Sequence, residues 1–432
     1  MNDHLARRRR TRRRWYLLLG TLLLVNVMVF GAFAYLRSLH SAVVDEVTVA
    51  PEVDAALTDR PESSSDPIVF LVIGSDSREG LPEGWEDDYG DFGGQRADVI
   101  MLAQLLPDQG RVQLLSLPRD LRVDIPGRER AKLNAAYAYG GSELMVETVQ
   151  ASFGVPVHHY VEIDFAGFAA IVDEVGGVAI DFPAPARDRK SGLSVEAGSQ
   201  LLDGREALAY ARSRSYEELR NGSWTFVEAN DIGRTARQRQ VVGAIISELV
   251  TPGIVMDAPG VVSSLARHMV VDSEFRELDF AGIAWGFRSF DRSAIDSATL
   301  PAEDRLIDGV AYLVPVEDEA DRMLAAFRNG GSLALVAGGA PPRVSVLNGN
   351  GTDGLARAWE AWLTDRGFDV VEVGDADGDY PVSQVVARRG GDELASELVG
   401  MLAFGEAVTG SVDAGADLVL VLGEDAEFPG EG

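Results

Sequence analysis

Arginines and aspartates recur beside the apolar runs in the first half of this sequence, where those runs begin or end. Asp76 and Arg78 follow the run PIVFLVIGS, and Arg96 and Asp98 precede the run VIML. Guanidinium groups bind phosphate oxygens bidentately, and carboxylates hold a Mg²⁺ ion that bridges such oxygens. The combination therefore predicts a binding site for a diphosphate.

A second group of the same residue types lies further along the chain. Arg119 and Asp120 occur in SLPRDLRVDIPG, directly after another apolar run. The segments ARSR and DIGRTARQRQ complete the group with Arg212, Arg214, Asp231, Arg234, Arg237 and Gln238. Surface salt bridges in solvent are the alternative for any one of these residues. The repetition of the pattern at the ends of elements favours one shared pocket.

Strand-like and helix-like segments alternate around these residues. PIVFLVIGSD, ADVIMLAQLLP, GRVQLLSLPRD and VPVHHYVEID have the composition of strands. NAAYAYGGSELMVETVQASFG, LDGREALAYAR and TARQRQVVGAIISELV have helical patterns, and FAGFAAIVDEVGGVAIDFP predicts a helix, a Gly-Gly stop and a strand. This alternation predicts an α/β domain with helices on both faces of the sheet, and ligands gather at strand ends in such sheets.

The amino terminus predicts a membrane anchor. Residues 1–14 hold a dense arginine cluster, and the uncharged, mostly apolar segment Trp15–Leu36 is as long as a transmembrane helix, which needs about 20 residues. The positive-inside rule leaves the basic tail in the cytoplasm and the rest exported, after a polar linker at 37–66. A signal-peptide cleavage site at Ala32–Ala34 and nucleic-acid binding by the tail are the alternatives, and we expect an uncleaved anchor.

A second domain is predicted near the carboxyl terminus. A small, Gly-rich linker at 329–341 separates a first domain at 67–328 from residues 342–426. RVSVLNGNGTDGLARAWEAWLTDRGFDVVEVGD has the pattern of a βαβ unit, and DLVLVLGED predicts a further strand. The GNGTDG glycines match a dinucleotide motif, but the domain is too small for that fold. We interpret them as a tight strand-to-helix turn.

Composition excludes several kinds of chemistry. The 432 residues contain no cysteine, so disulfides, thiolate nucleophiles and Cys-ligated zinc are excluded.

His158 and His159 are adjacent in a strand and should point to opposite faces, which disfavours a shared ligand. The formal net charge is −29. Such a surface repels polyanions, including nucleic acid, except at a local basic site.

Taken together, these motifs resemble the LytR-CpsA-Psr family of membrane-anchored ligases of bacterial cell-wall glycopolymers. FLVIGSDSR, RADVIML, LLSLPRDLRVDIPG, KLNAAYAYGG, HYVEIDFAGFAAIVDEVGGVAIDFP, LDGREALAYARSR and DIGRTARQRQVV follow one another in the family's order, over roughly 67–328. The tail from about 342 resembles the LytR C-terminal domain. The resemblance implies a three-layer α/β/α domain with a mixed central sheet and a pocket for a polyprenyl diphosphate, beside a small C-terminal α/β domain.

The resemblance also implies residue roles. Asp76 and Asp98 are expected to hold Mg²⁺, with Mn²⁺ as the alternative. Asp98, Asp120 and Asp231 are candidate general bases. The expected diphosphate ligands are Arg78, Arg96, Arg119, Arg212, Arg214, Arg234, Arg237 and Gln238. A lipid tunnel lined by Phe165, Phe168 and Ile171 is one interpretation of the apolar helix FAGFAAIVDEV, and ordinary core packing is the other.

The reaction implied by the resemblance is phosphoryl transfer. A glycopolymer would pass from a polyprenyl diphosphate carrier to a peptidoglycan hydroxyl, by analogy the muramic acid 6-OH, outside the cytoplasmic membrane. Hydrolysis of a lipid diphosphate, with water as the acceptor, is one alternative. A non-catalytic wall-binding or regulatory anchor is the other.

Overall fold

The computed structural model describes residues 46–75, 97–249, 266–287, 290, 294–337, 341–389, 391–402, 404–412 and 415–429. The predicted basic tail and membrane helix lie outside these residues, as do Asp76, Arg78 and Arg96. Among the helices of the described ranges, none has the length and apolarity needed to cross a membrane.

The strands of the first domain are β1 (Thr48–Val49), β2 (Ile68–Ser75), β3 (Ala97–Leu106), β4 (Arg111–Ser116), β5 (Arg122–Val123), β6 (Ala131–Lys132), β7 (His159–Asp164), β8 (Val178–Phe182), β9 (Ala186–Asp188), β10 (Leu193–Val195), β11 (Gly198–Leu202), β12 (Glu217–Arg220), β13 (Ser223–Phe226), β14 (Met269–Val271), β15 (Ile295–Thr299), β16 (Ala302–Ile307) and β17 (Val310–Pro315). Its helices are α1 (Leu133–Phe153), α2 (Phe165–Glu174), α3 (Gly204–Arg212), α4 (Asp231–Leu249), α5 (Phe280–Gly286), α6 (Glu317–Arg328) and α7 (Leu333–Ala337). Short 3₁₀ helices occupy Pro51–Ala56, Pro107–Gln109 and Glu274–Glu277.

A seven-stranded sheet in the order β1-β14-β7-β2-β3-β4-β15 forms the centre of the first domain. β2 and β3 pair antiparallel, as do β3 and β4, whereas β7 runs parallel to β2 and β15 runs parallel to β4. The sheet is therefore mixed, which confirms that part of the expected fold.

Helices cover both faces of this sheet. On β2, Leu71 and Ile73 face a core that includes Val146 of α1 and Phe327 of α6. Val72 points to the opposite face, where Val242 and Ile246 of α4 pack against β3 and β4. A strand buried on both faces is apolar at nearly every position, and the β2 sequence IVFLVIGS has that composition.

Two tight contacts fix the helices next to the sheet. Gly204 begins α3 so close to α2 that a Cβ atom would lie 2.2 Å from the carbonyl oxygen of Ala169. Asp203 and Glu206 form a capping box at the same helix end, which satisfies backbone amides that have no partner inside the helix. Because no side chain fits between Gly204 and Ala169, α2 and α3 approach closely at this point.

The predicted helix over NAAYAYGGSELMVETVQASFG is present as α1, but its two glycines break it. Gly140 and Gly141 have non-helical dihedral angles, and Gly141 has a φ of 66°. Only glycine adopts the Gly141 conformation without strain. The first two turns of α1 are thus a separate short segment.

The second domain has a five-stranded sheet of its own, and the predicted βαβ unit is confirmed. The elements are β18 (Arg343–Asn348), α8 (Leu355–Asp365), β19 (Asp369–Asp375), β20 (Gln384–Ala387), α9 (Asp392–Leu402), β21 (Glu406–Thr409) and β22 (Leu418–Leu422). The strand order is β19-β18-β22-β20-β21. β18 runs parallel to β19, and the predicted DLVLVLGED strand is β22, while β20, β21 and α9 were not predicted.

Candidate functional site

A cavity of about 520 Å³, here called the main cavity, opens beside the ends of β2 and β7 and the start of β3. Its polar wall includes Asp98, Arg119, Asp164, Asp188, Lys190, Arg212, Arg214, Arg234 and Gln238. Its apolar wall includes Val72, Ile73, Val99, Ile163, Phe165, Phe168, Leu208, Ala211 and Val242. The cavity is therefore lined by charged side chains and by hydrocarbon-like ones.

Different elements bring the charged groups to this cavity. Asp98 is the second residue of β3, and Arg119 lies in the turn that follows β4. Arg212 ends α3, and Arg234 lies in the first turns of α4. Arg214 lies on the connection between α3 and β12. These five residues thus lie at or near the ends of elements and meet at one cavity, as the sequence pattern predicted.

Ion pairs join the arginines that line the cavity to Asp98, which also lines it, and to Asp231, which lies beside it without lining it. Arg119 makes a close contact with Asp98 through Nη1. Asp231 Oδ1 lies 3.0 Å from Arg234 Nη2 and 3.5 Å from Arg214 Nε. We call Arg119, Arg214 and Arg234 the arginine cluster, because their charges act on one another.

Burial shifts the pKa values of this cluster. Burial, together with the like charges of Arg119 and Arg214, lowers the pKa of Arg234 to about 10. Burial raises the pKa of Asp231, but the positive charges of Arg234, Arg119 and Arg214 outweigh it and hold this pKa below its usual range. At neutral pH the cluster keeps its charges at a cost in free energy, which a bound anion would offset.

Two guanidinium nitrogens of the cluster are left without hydrogen bonds. Within the described part of the chain, the buried Nε atoms of Arg119 and Arg234 have no hydrogen-bond partner. A buried N–H without a partner costs about 1–3 kcal/mol. The Nε–H groups of Arg119 and Arg234 are therefore suited to donate hydrogen bonds to a ligand in the cavity, such as the oxygen atoms of a phosphate.

The apolar wall continues from the charged one. Phe165 and Phe168 of α2 line the main cavity, as one interpretation of FAGFAAIVDEV expected. The guanidinium carbon of Arg212 lies 4.9 Å from the centre of the Phe165 ring, where the cationic and apolar walls meet. Ile171 is buried and is not among the lining residues, which fits the core-packing interpretation for that position.

The remaining predicted residues lie close to the main cavity without lining it. Asp120 follows Arg119, with its Oδ2 atom 3.9 Å from Arg119 Nε. Arg237 points away into the protein, where its Nη2 atom donates a 2.7 Å hydrogen bond to the carbonyl oxygen of Ser213. Its guanidinium carbon lies 4.8 Å from the centre of the Tyr216 ring.

Asp188 and Lys190 are lining residues that the sequence did not indicate. Asp188 is fully buried and accepts hydrogen bonds from Ser213 Oγ at 2.7 Å and from the backbone amides of Arg214 and Ser215 at 2.9 and 2.7 Å. Burial raises its pKa, but these hydrogen bonds hold the pKa below its usual range. A lone acid within ARDRKSG resembles an exposed turn, so the available signal was weak.

The acids present here were tested as ligands for the expected metal ion. Asp98 offers a carboxylate oxygen on the main cavity, which is the donor type that Mg²⁺ prefers. Asp76, the other expected ligand, lies outside the described residues. The described residues contain no group of three or more His, Cys, Asp or Glu side chains that could enclose an ion by themselves. Of the two expected ligands the described residues include Asp98, which already contacts Arg119, so an ion at this position would need further oxygen ligands.

Comparisons with known proteins give a consistent set of relatives. The model of the LytR_cpsA_psr family matches residues 34–329. A second model, described as LytR cell envelope-related transcriptional attenuator, matches residues 342–425.

Two curated relatives and one solved structure illustrate the similarity. The chain is 38% identical over 193 residues to the probable cell wall biosynthesis protein LcpB of Corynebacterium glutamicum, covering 44% of this chain and less than half, 43%, of that protein. It is 31% identical over 272 residues to the polyisoprenyl-teichoic acid–peptidoglycan teichoic acid transferase TagU of Halalkalibacterium halodurans, covering 60% and 78%. The LytR-Csp2A-Psr enzyme from Actinomyces oris is 28% identical with a TM-score of 0.49, covering 63% of this chain and 95% of that one.

Proposed function

The chain belongs to the LytR-CpsA-Psr family, and from that membership we propose that it is a membrane-anchored phosphotransferase. In this proposal it moves a glycopolymer from a polyprenyl diphosphate carrier to a peptidoglycan hydroxyl, the muramic acid 6-OH. TagU of H. halodurans, whose name describes transfer of teichoic acid from a polyisoprenyl carrier to peptidoglycan, supports the reaction class. The apolar segment at 15–36 would anchor the chain, with the catalytic domain facing the wall.

The observation that carries the proposal is the amphiphilic main cavity. The arginine cluster and the unpartnered Nε atoms of Arg119 and Arg234 suit a diphosphate. Phe165, Phe168 and the neighbouring apolar side chains suit the hydrocarbon next to that diphosphate. A soluble sugar phosphate would use the first wall and leave the second exposed to water, which is why a lipid diphosphate fits better.

The residues of this chain would act mainly by position and charge. The acceptor oxygen attacks the sugar-side phosphorus, the bond from that phosphorus to the bridging oxygen breaks, and lipid monophosphate leaves with the electron pair. Arg119, Arg214 and Arg234 would stabilise charge on the phosphoryl oxygens throughout this step. Arg212 and Gln238 would orient the diphosphate from the same wall.

A divalent cation is part of the proposal. Asp98, with Asp76, would hold Mg²⁺, or Mn²⁺ in its place. When bound, such an ion neutralises charge on diphosphate oxygens. The close contact of Asp98 with Arg119 would position that carboxylate at the edge of the arginine cluster.

A test of the proposal uses two arginine variants and one control. The full chain in detergent is given a lipid-diphosphate-linked oligosaccharide with purified peptidoglycan, with EDTA, Mg²⁺ or Mn²⁺ as added conditions. Arg234→Gln and Arg214→Gln should each lower formation of the glycan–peptidoglycan conjugate by about 10²-fold, as loss of one stabilising donor does in other enzymes. Arg305→Gln, on the exposed β16–β17 hairpin, should retain wild-type activity.

Other outcomes identify the alternatives. Free glycan phosphate without conjugate would indicate hydrolysis. Absence of donor binding to the wild-type protein would favour an anchor without catalysis. Thermal unfolding of both variants checks the fold. Arg234→Gln removes a buried charge that Arg119 and Arg214 repel but that Asp231 attracts, so these effects oppose each other and we expect a small change in melting temperature.

A further inference from the structure

A second cavity of about 330 Å³ adjoins the main cavity. Arg119 lines both, so the two spaces meet at this side chain. The other lining residues of the second cavity are Asp120, Lys132, Asn134, Ala135 and Ala138. None of these five lines the main cavity. Arg119 of the proposed diphosphate site thus lies between the main cavity and the second cavity.

The second cavity carries the groups that recognise a polyhydroxylated molecule. Asp120 accepts hydrogen bonds, Lys132 donates them, and the Asn134 amide does both, which matches sugar hydroxyls that also donate and accept. Lys132 Nζ lies 2.9 Å from Asp120 Oδ1 and 6.0 Å from the centre of the Tyr312 ring. Tyr312 is partly buried, and its ring, which Arg122 also approaches to 5.7 Å, helps to hold Lys132 in place without lining the cavity.

Backbone hydrogen bonds hold this cavity in shape. Asn134 N donates to the carbonyl oxygen of Arg119 at 3.0 Å, and Leu133 N donates to that of Leu121 at 2.8 Å. Leu313 N, on β17, donates to the carbonyl oxygen of Asp120 at 3.0 Å. The turn with Arg119 and Asp120 is therefore fixed between the start of α1 and β17. A binding site of fixed geometry needs this kind of support.

We propose that the second cavity is the acceptor subsite, which binds a carbohydrate of the wall with its hydroxyl group directed toward Arg119. The inference rests on the proposed function and adds where the acceptor binds. Of the three candidate bases, Asp120 is the one that lines the second cavity, where it lies 2.9 Å from Lys132 Nζ and 3.9 Å from Arg119 Nε. Asp120 is therefore assigned as the group that removes the acceptor proton.

The step balances without any further reactant. The Asp120 carboxylate takes the hydroxyl proton while the hydroxyl oxygen forms a bond to the sugar-side phosphorus. The bond from this phosphorus to the bridging oxygen breaks, and its electron pair leaves on lipid monophosphate. Arg119, which lines both cavities, lies beside the point where the two substrates meet.

The test fills the second cavity without touching the main one. Ala138 is exposed and lines the second cavity, so Ala138→Trp should narrow it with little effect on folding. Ala151→Trp, an exposed position on the other side of the Gly140–Gly141 break in α1, is the matched control. Asn134→Ala is a smaller second variant, which removes only the side-chain amide.

Two measurements on the full chain separate this proposal from the proposed function. The first is transfer from the lipid-linked donor to a soluble N-acetylglucosamine–N-acetylmuramic acid oligosaccharide. Ala138→Trp should lower kcat/KM for this acceptor at least tenfold, Asn134→Ala should raise its KM, and Ala151→Trp should behave as wild type. Donor binding should be equal in all four proteins, because the main cavity is unchanged.

The second measurement is binding of the same oligosaccharide without donor, by calorimetric titration. Binding by the wild type and Ala151→Trp, with at least tenfold weaker binding by Ala138→Trp, supports the subsite even if no conjugate forms and the proposed function fails. The subsite is overturned if the wild type does not bind the oligosaccharide. It is equally overturned if Ala138→Trp and Asn134→Ala bind and transfer as the wild type does.

Discussion

At the scale of single residues, the arginine cluster shows how a binding site can be left electrostatically incomplete. Arg234 is nearly buried, with two like charges beside it and a pKa lowered to about 10 by burial and by those charges. Asp231 and Asp98 neutralise only part of the cluster. Such an arrangement reduces the stability of the free protein and favours binding of a dianionic group.

Asp188 is the residue that fixes one member of this cluster. Through Arg214 N, Ser215 N and Ser213 Oγ it holds the segment between α3 and β12, and so the direction of Arg214. One Asp188 oxygen accepts these three hydrogen bonds and the other accepts one from the backbone amide of Lys190 at 2.8 Å, so an amide group, whose nitrogen donates, cannot replace both oxygens.

Asp188→Asn is therefore expected to lower the free energy of unfolding by about 1.5–3 kcal/mol, the range for a hydrogen bond to a charged group. The KM for the lipid donor should rise at the same time, because Arg214 loses its support. Urea unfolding and donor-dependent kinetics measure the two effects. Asp181→Asn, at an exposed position of β8, is the control, and equal stability of the two variants would remove the assigned role.

At the scale of elements, His158 joins β2 to β7 in an unusual way. The backbone N of Val69 donates to His158 Nδ1 at 3.0 Å, and His158 N donates to the carbonyl oxygen of Val69 at 2.9 Å. The imidazole thus extends the strand pairing. Its Nδ1 atom must carry no proton, because it accepts the hydrogen bond from Val69 N. Burial and, to a smaller extent, the neighbouring His159 lower the pKa of His158 to about 4.

This pairing predicts a pH dependence of stability. Between the unfolded pKa of about 6.5 and the folded pKa of about 4, the unfolded chain binds the proton and the folded chain does not. Stability is therefore lost as pH falls through this window, by up to about 2 kcal/mol from pH 6.5 to 5.

Urea unfolding at pH 6.5 and 5 measures this loss. His158→Asn, which does not titrate, should lose less stability over the same interval than the wild type. His268→Asn, at an exposed histidine, should keep the wild-type slope. Identical slopes for all three proteins would mean that folding does not lower the pKa of His158.

At the scale of the whole molecule, a net charge of −29 surrounds a local cationic site. Like charges at the surface repel one another and destabilise the compact state, and salt screens this repulsion. Buried pairs such as those of Arg234 are screened much less. The exterior and the site therefore respond differently to ionic strength.

Raising NaCl from about 20 to 300 mM, a range over which the Debye length falls to below 10 Å, should increase the melting temperature of the purified protein. A gain of about 1 kcal/mol corresponds to roughly 2–4 °C for a domain of this size class. Differential scanning calorimetry measures the shift, and KCl should give the same result if screening is the cause. A melting temperature that falls with salt would show that attractive surface pairs outweigh the repulsion.

The sequence by itself determined the local elements and the chemical type of the site. Apolar, β-branched runs such as β2 can be satisfied only as buried strands, and the Gly176–Gly177 stop with its positive φ angles ended α2 as expected. Arg119, Arg212, Arg214, Arg234 and Gln238 were found because arginines repeated at element ends are a local pattern. They do line one cavity.

Only the tertiary structure decided which of these side chains face the cavity and which neighbours complete it. Arg237 shares a helix with Arg234 yet points inward to Ser213, while Asp188 and Lys190 reach the cavity from a hairpin with no motif of its own. The second cavity likewise forms from a turn and a helix start that pack together. Hydrophobic patterning depends on near neighbours in the chain, whereas these contacts depend on how distant elements pack, and that information is absent from local sequence.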